Sequence, residues 1–333
     1  MLWIAALLAC TPSLPDDTDV AGTEAVEPDT ELDTEAPLPW PETLSATGLY
    51  ADIASETLAE DVLTYEPAWP LWSDGAAKER FFALPPGGVI DTSDPDYWQF
   101  PLGTRAWKTF IRDGVRVETR YLERTETGWT WIAYAWREDG SDADPVPNGV
   151  IDAAGTAHDI PFEGACFRCH QALGLLGVGA VQLGADSPGD TLADWTERGL
   201  ISDPIAPEDT VVPGEGTTRH ALGYLHGNCG GCHIDGYYLD TAFSLRLRTL
   251  VGTATPDDSL AYLTAINTPA RHALEADLIV APGDPERSQM LLRMGERGNL
   301  QMPPLGTELV DHDALSTVRA WIESLPPSDS ETP

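Results

Sequence analysis

The chain has 333 residues, with 54 acidic against 19 basic side chains and a formal charge of −35. That charge excludes non-specific nucleic-acid binding, which needs a basic face to displace counterions from phosphate. Hydrophobic residues make up 42%, too many for wholesale disorder, and the length allows two or three domains. Five cysteines would leave one unpaired in a disulfide framework.

Residues 1–9 are apolar and run straight into Cys10. They fall short of the roughly 20 residues that span a bilayer, and fit the apolar part of an export signal. Leu7-Leu8-Ala9-Cys10 resembles a bacterial lipobox, which implies that Cys10 becomes a lipid-bearing N-terminus and anchors the chain to a membrane. The segment departs from such signals in its shortness and in having no Lys or Arg near Met1. The alternative is a buried N-terminal strand with an incidental Cys. Residues 10–42 carry ten acids and no base, so they read as a disordered tether. As a flexible coil the tether reaches on the order of 30 Å. The remainder keeps 44 acids against 19 bases and is acidic in its own right.

Residues 43–150 read as an antiparallel β-rich domain. Strands are expected at 104–111, 115–122 and 129–136, with Asp113-Gly114 as a two-residue hairpin turn and Glu126-Thr127-Gly128 as the next turn. The expected result is a meander forming part of a sandwich or barrel. Seven of the eleven tryptophans fall between Trp69 and Trp136. They serve either core packing or an aromatic ligand surface.

The chemistry sits in two pentads, Cys166-Phe167-Arg168-Cys169-His170 and Cys229-Gly230-Gly231-Cys232-His233. Each is C-x-x-C-H, the pattern of covalent c-type haem attachment. Two thiols three residues apart share a helical face and can each add to a haem vinyl group, while the adjacent His offers a ring nitrogen to iron. Gly230 and Gly231 are expected to let a porphyrin edge approach the backbone. A zinc site or disulfides would leave each trailing His without a reason. Two covalent haems c are therefore expected, attached by Cys166, Cys169, Cys229 and Cys232, with His170 and His233 as proximal iron ligands.

Met302 lies in Gln301-Met302-Pro303-Pro304-Leu305-Gly306, about 70 residues after His233, and is the candidate sixth ligand of the second iron. Met290 and Met294 read as packing on a short helix near 288–297. A helix over 311–325, capped by Asp311 or Asp313 and stopped by Pro326, buries Leu315, Val318, Trp321, Ile322 and Leu325. A helix over 217–229 is its expected partner. Residues 215–327 thus read as a small cytochrome c-like domain and 151–214 as a first haem region, with 328–333 a disordered tail. The first haem has no Met between the motifs. His158, His220, His226 and His272, or an open position, are the candidates there. The expected fold class is α+β in several domains, with the β-rich domain followed by mainly α-helical cytochrome c-like haem domains.

Several strings carry a wider resemblance: Pro70 to Ala76 with Lys78-Glu79-Arg80, Phe100 to Thr104 with Lys108-Thr109-Phe110, Val117-Glu118-Thr119-Arg120, Asn228 to His233, Ala281 to Ser288, and Met302 to Gly306. In this order over roughly 45–325 the chain resembles a family of bacterial exported di-haem cytochrome c-like proteins. The sequence departs from it after His233, where Ile234 to Tyr238 replace a Pro/Gly-rich loop. The resemblance implies haem binding and electron transfer and supplies no substrate. The leading expectation is an exported, envelope-anchored electron-transfer protein whose acidic surface docks a basic redox partner. The alternatives are a redox enzyme, peroxidase-like or with a substrate site on the β-domain, and a non-catalytic haem-bearing sensor or ligand-binding lipoprotein.

Overall fold

A computed structural model describes residues 40–170, 173–234, 245–271 and 275–327. The readings of 1–9, of nearly all the tether with Cys10, of His272, of 235–238 and of the tail fall outside these residues. The described residues belong to one compact unit.

The unit is organised around a six-stranded antiparallel meander. Its strands are β3 (Leu63–Thr64), β4 (Ala77–Ala83), β5 (Arg105–Arg112), β6 (Val115–Thr125), β7 (Gly128–Trp136) and β8 (Ala143–Pro145), in that spatial order. A two-stranded ribbon, β1 (Tyr50–Asp52) and β2 (Thr57–Leu58), precedes it. Asp113 and Gly114 join β5 to β6 with φ of 52° and 80°, the paired left-handed residues that a two-residue hairpin with the strands' own twist requires. The sheet stays open instead of closing into a barrel or pairing with a second large sheet, because other chain segments cover both of its faces.

Strand alternation assigns those faces. Phe81, Trp107, Tyr121, Ile132 and Tyr134 point one way and pack under Leu44, Leu49 and Tyr50 from the start of the unit. Phe82, Ala106 and Leu122 point the other way and meet Leu175, Val178, Leu183, Leu192 and Trp195. The second group comes from the segment that follows the first pentad. That segment therefore lies over the sheet and shares its core.

The expectation of mainly α-helical haem domains after residue 150 is corrected here. Among the described residues 26% are helix and 21% strand, a β-sheet domain with a few helices. Among the described residues, α1 (Glu163–His170), α2 (Leu192–Glu197), α4 (Leu260–Ala265) and α5 (Gln289–Gly295) have only six to eight residues. Only α3 (Gly216–Asn228) and α6 (His312–Ser324) reach 13. Glycine and proline recur through 174–214 and 252–285 too often for a helix to propagate, so apolar residues there are buried by turns and bridges. No helix among the described residues is long and apolar enough to cross a membrane.

α3 and α6 pack together as the 3.6-residue pattern implies. Ala221 and Leu225 meet Val318, Trp321 and Ile322 in one core, and Met290 and Met294 of α5 join it. Asp311 caps α6 by accepting from the Ala314 amide at 3.0 Å.

Candidate functional site

A cavity of about 560 Å³ lies between the second face of the sheet and the two pentads, within the usual size range of ligand and cofactor sites. Cys166, Cys169 and His170 of α1 all line it. One helical turn separates the two cysteines, so both thiols leave α1 on the cavity side. Trp131 of β7 packs its ring 6.3 Å from that of His170, and its indole N–H donates to the Glu163 carbonyl at 3.1 Å. The sheet thereby fixes the helix that carries the first pentad.

His170 is held in one tautomer. Its Nδ1 lies 2.5 Å from the Gly174 carbonyl oxygen, which can only accept, so Nδ1 carries the proton and Nε2 keeps its lone pair. Burial, with Lys108 and Arg120 nearby, pushes the imidazole pKa down to about 4 and keeps the ring neutral. A neutral imidazole with a protonated, oriented Nδ1 is the form that binds a metal. Gly174 has φ of 64°, and a side chain there would overlap the Trp129 indole.

The second pentad follows α3. Cys232 lines the same cavity, whereas Cys229 packs against the helical core. His233 is not part of the cavity wall; burial lowers its pKa, a hydrogen bond to the Leu245 backbone opposes this, and the Arg293 charge adds to the lowering. The Met302 amide donates to the Arg293 carbonyl at 2.9 Å. Arg293 thus bears on His233 through its charge and on Met302 through its backbone carbonyl. Met302 itself is half-buried, and the residues just after it, Pro303 to Thr307, line the cavity. A Cβ at Gly230 would meet the His226 carbonyl oxygen at 2.7 Å and Arg248 Cα at 2.9 Å, so Gly230 makes room for backbone. Gly231 has only ordinary contact with Leu176.

Although 63 residues separate Cys166 from Cys229, the fold brings the pentads together. A hydrogen bond from Cys232 lowers the Cys169 thiol pKa to about 7 against the effect of burial, with help from Arg120, Lys108 and Arg168. Burial pushes the Cys166 thiol up to about 11 and that of Cys229 to about 12. None of the four pentad cysteines is in a disulfide. Among the described residues no three His, Cys, Asp or Glu side chains converge as a metal site would need.

The candidate distal histidines separate by place. His226 is buried; its Nδ1 accepts from the Thr249 amide at 3.2 Å, which puts the proton on Nε2 and removes that nitrogen as a ligand. His220 is exposed beside Trp69. His158 lines the cavity at 5% exposure, with Nε2 2.8 Å from the Glu118 carboxylate. Glu118, fully buried, also accepts two hydrogen bonds from the Arg120 guanidinium at 2.6 and 3.0 Å. Burial alone would raise its pKa; Arg120 and His158 outweigh that and hold the carboxyl below its ordinary value.

Sequence reasoning missed a further constructional device. Asp74, 7% exposed, accepts from Thr307 Oγ1 at 2.7 Å and from the amides of Glu308 and Leu309 at 2.8 and 3.0 Å. The Trp72 indole donates to the Leu309 carbonyl at 3.1 Å, and the Trp72 amide to Asn228 Oδ1 at 2.7 Å. Residues 69–74 therefore tie the start of the second pentad to the loop after Met302. The clustering of Trp, Ser, Asp and Gly at 72–75 was visible as a string, with no periodicity to reveal its partners.

No family model matches the chain, and neither curated proteins nor solved structures include a match.

Proposed function

We propose that the chain is an exported di-haem c-type cytochrome, anchored through Cys10 in the bacterial cell envelope, which relays electrons between protein partners. The observation that carries this reading is the placement of Cys166, Cys169 and His170 on one cavity wall with His170 in the metal-ready tautomer. In this reading Cys166 with Cys169 and Cys229 with Cys232 hold the haems as thioethers, His170 and His233 are the proximal ligands, and Met302 is the distal ligand of the second haem. Bound haem supplies one-electron chemistry, tuned by its axial ligands and burial. The chain's own contribution is to hold both pentads rigidly and close together. The Cys169–Cys232 contact favours a relay, because it brings the two attachment points together. The acidic body favours a basic docking partner, with association slowing as salt rises.

The test is haem stoichiometry after expression with a c-type maturation system, read from the pyridine haemochrome and the intact mass. Two covalent haems per chain are expected, and one in Cys166→Ala/Cys169→Ala. A chain that emerges intact, folded and haem-free refutes the proposal.

One observation favours a second, peroxidase-like reading: His158, held by Glu118, and Arg120 face the same cavity as His170. A buried acid–base group opposite an open iron position would suit peroxide cleavage. Peroxide-driven oxidation of a dye that disappears in His158→Ala would support it.

A further inference from the structure

The cavity wall opposite α1 is unusually cationic for a chain of −35 charge. Arg80 of β4 lies directly across from Lys108 of β5, and Lys108 directly across from Arg120 of β6. These three neighbours in one cross-strand row share a sheet face, and Lys78 sits two residues from Arg80 on the same face. All four line the cavity. Like charges directly opposite one another destabilise a sheet, so a row of three is kept against a cost.

The neighbouring groups leave the row under-compensated. Glu118 pairs with Arg120 and His158. Lys78 donates to the Leu71 carbonyl and to Ser73 Oγ. Among the described residues the Arg80 guanidinium reaches the Lys78 carbonyl at 3.4 Å, with Tyr65 and Glu66 nearby. The Lys108 ammonium makes no hydrogen bond among the described residues. The other carboxylates on the cavity wall are engaged elsewhere: Asp74 in the loop at 307–309, Asp96 with the Val251 amide and beside Arg248, and Asp159 with the Asp152 amide. Burial and the neighbouring cations lower the ammonium pKa of Lys78 to about 6 and of Lys108 to about 7, the direction in which an added negative charge would be welcomed. Phe110 lies under Arg120, 4.3 Å from ring centre to guanidinium carbon.

We propose that Arg80, Lys108 and Arg120, with Lys78 beside them, form a seat for a carboxylate anion inside the cavity. Arg80 offers a planar fork suited to carboxylate oxygens, Arg120 keeps its Nη1 group outside its two-bond pairing with Glu118, and Lys108 sits between them. Two sources could bring such a group: a small organic acid that diffuses in, or the propionate of a haem bound in the cavity. The cation row is a property of the sheet and does not depend on the haem reading.

Lys108→Met removes the central charge at similar volume and relieves repulsion, so the variant is expected to fold. The protein matured in cells is titrated calorimetrically with succinate and with citrate, and its haem midpoint potentials are measured. Saturable binding of either acid, weakened at least tenfold in Lys108→Met and retained in Lys108→Arg, supports the seat with a free acid as its ligand. No binding of either acid, together with a lower midpoint of one haem in Lys108→Met that Lys108→Arg restores, supports the seat with a propionate in it. Binding undiminished in Lys108→Met, or neither binding nor a midpoint shift, overturns the proposal. A haem-free product would refute the cytochrome reading while leaving the acid titration intact.

Discussion

Asp74→Asn isolates the clamp on the loop that follows Met302. Asp74 has φ of 54°, a left-handed position that Asn tolerates, so the backbone is expected to survive the change. The hydrogen bonds divide between the two carboxylate oxygens: one accepts from Thr307 Oγ1 and the Leu309 amide, the other from the Glu308 amide. An Asn has one acceptor oxygen, and its NH2 group must then face an N–H donor. The variant loses the charge on every bond and leaves at least one buried donor unmet, for a cost of about 2–3 kcal/mol. In a unit of this size that lowers Tm by on the order of 5 °C. Scanning calorimetry measures the loss. If Met302 ligates the second haem as proposed, the Met–iron charge-transfer band of the oxidised protein reads the consequence there, and it is expected to weaken in Asp74→Asn. A variant that melts with the wild type and keeps the full band would refute both the clamp and its link to Met302.

Other substitutions probe the supports of the two pentads. Gly227→Ala places a methyl group into the Trp69 carbonyl oxygen, which cannot move without displacing residues 69–74. The expected loss is about 2–4 kcal/mol in urea unfolding, against under about 1 kcal/mol for Gly231→Ala as control. Gly174→Ala meets the Trp129 ring and forces a positive φ on alanine, so the carbonyl that orients His170 shifts. If the chain carries two covalent haems as proposed, the expected signature is a fall to one by intact mass. Glu118→Gln strands Arg120 and His158 and is expected to cost about 3–5 kcal/mol at neutral pH. The carboxyl of Glu118 is held low in the folded state, so its stabilisation is present above the ordinary carboxylate range and is lost as pH falls through the depressed value. The stability gap between wild type and variant, followed by denaturant titration, should therefore close on acidification; a constant gap would argue against an ionised Glu118.

Legibility followed the range of the interactions. The hairpin at Asp113-Gly114 and the α6 cap at Asp311 are set by residues within a few positions, and both stand where the local signals put them. The α6 face could be read because Val318, Trp321 and Ile322 repeat at helical spacing. The strand Ala77–Ala83 was hidden because Lys78, Glu79 and Arg80 interrupt any apolar alternation; Lys78 and Arg80 make sense only beside β5 and on the cavity wall. The helical expectation for 151–214 failed for a related reason. Leu175, Leu183 and Trp195 belong to the core of a sheet formed about a hundred residues earlier, and nothing local records that debt. At the site, the two pentads were legible as a spacing, while the strap at 69–74 and the His170–Gly174 pairing came only with three-dimensional neighbours.

The cation row and the pentads bear on one another through Cys169. Arg120 and Lys108 act on that thiol in the direction that favours its thiolate, and Cys232 adds a hydrogen bond with the same effect, whereas Cys166 has its pKa raised by burial. The thiolate is the reactive form of cysteine, so the two thiols of α1 are unequal as nucleophiles. If sheet charges set that inequality, Lys108→Met should slow thiol alkylation at Cys169 more than at Cys166. Haem-free protein made without the maturation system, treated with iodoacetamide at neutral pH and followed by peptide mass spectrometry, gives both rates in one sample. Equal slowing at the two sites would point to altered access, and unchanged rates would mean that Lys108 has no part in activating Cys169.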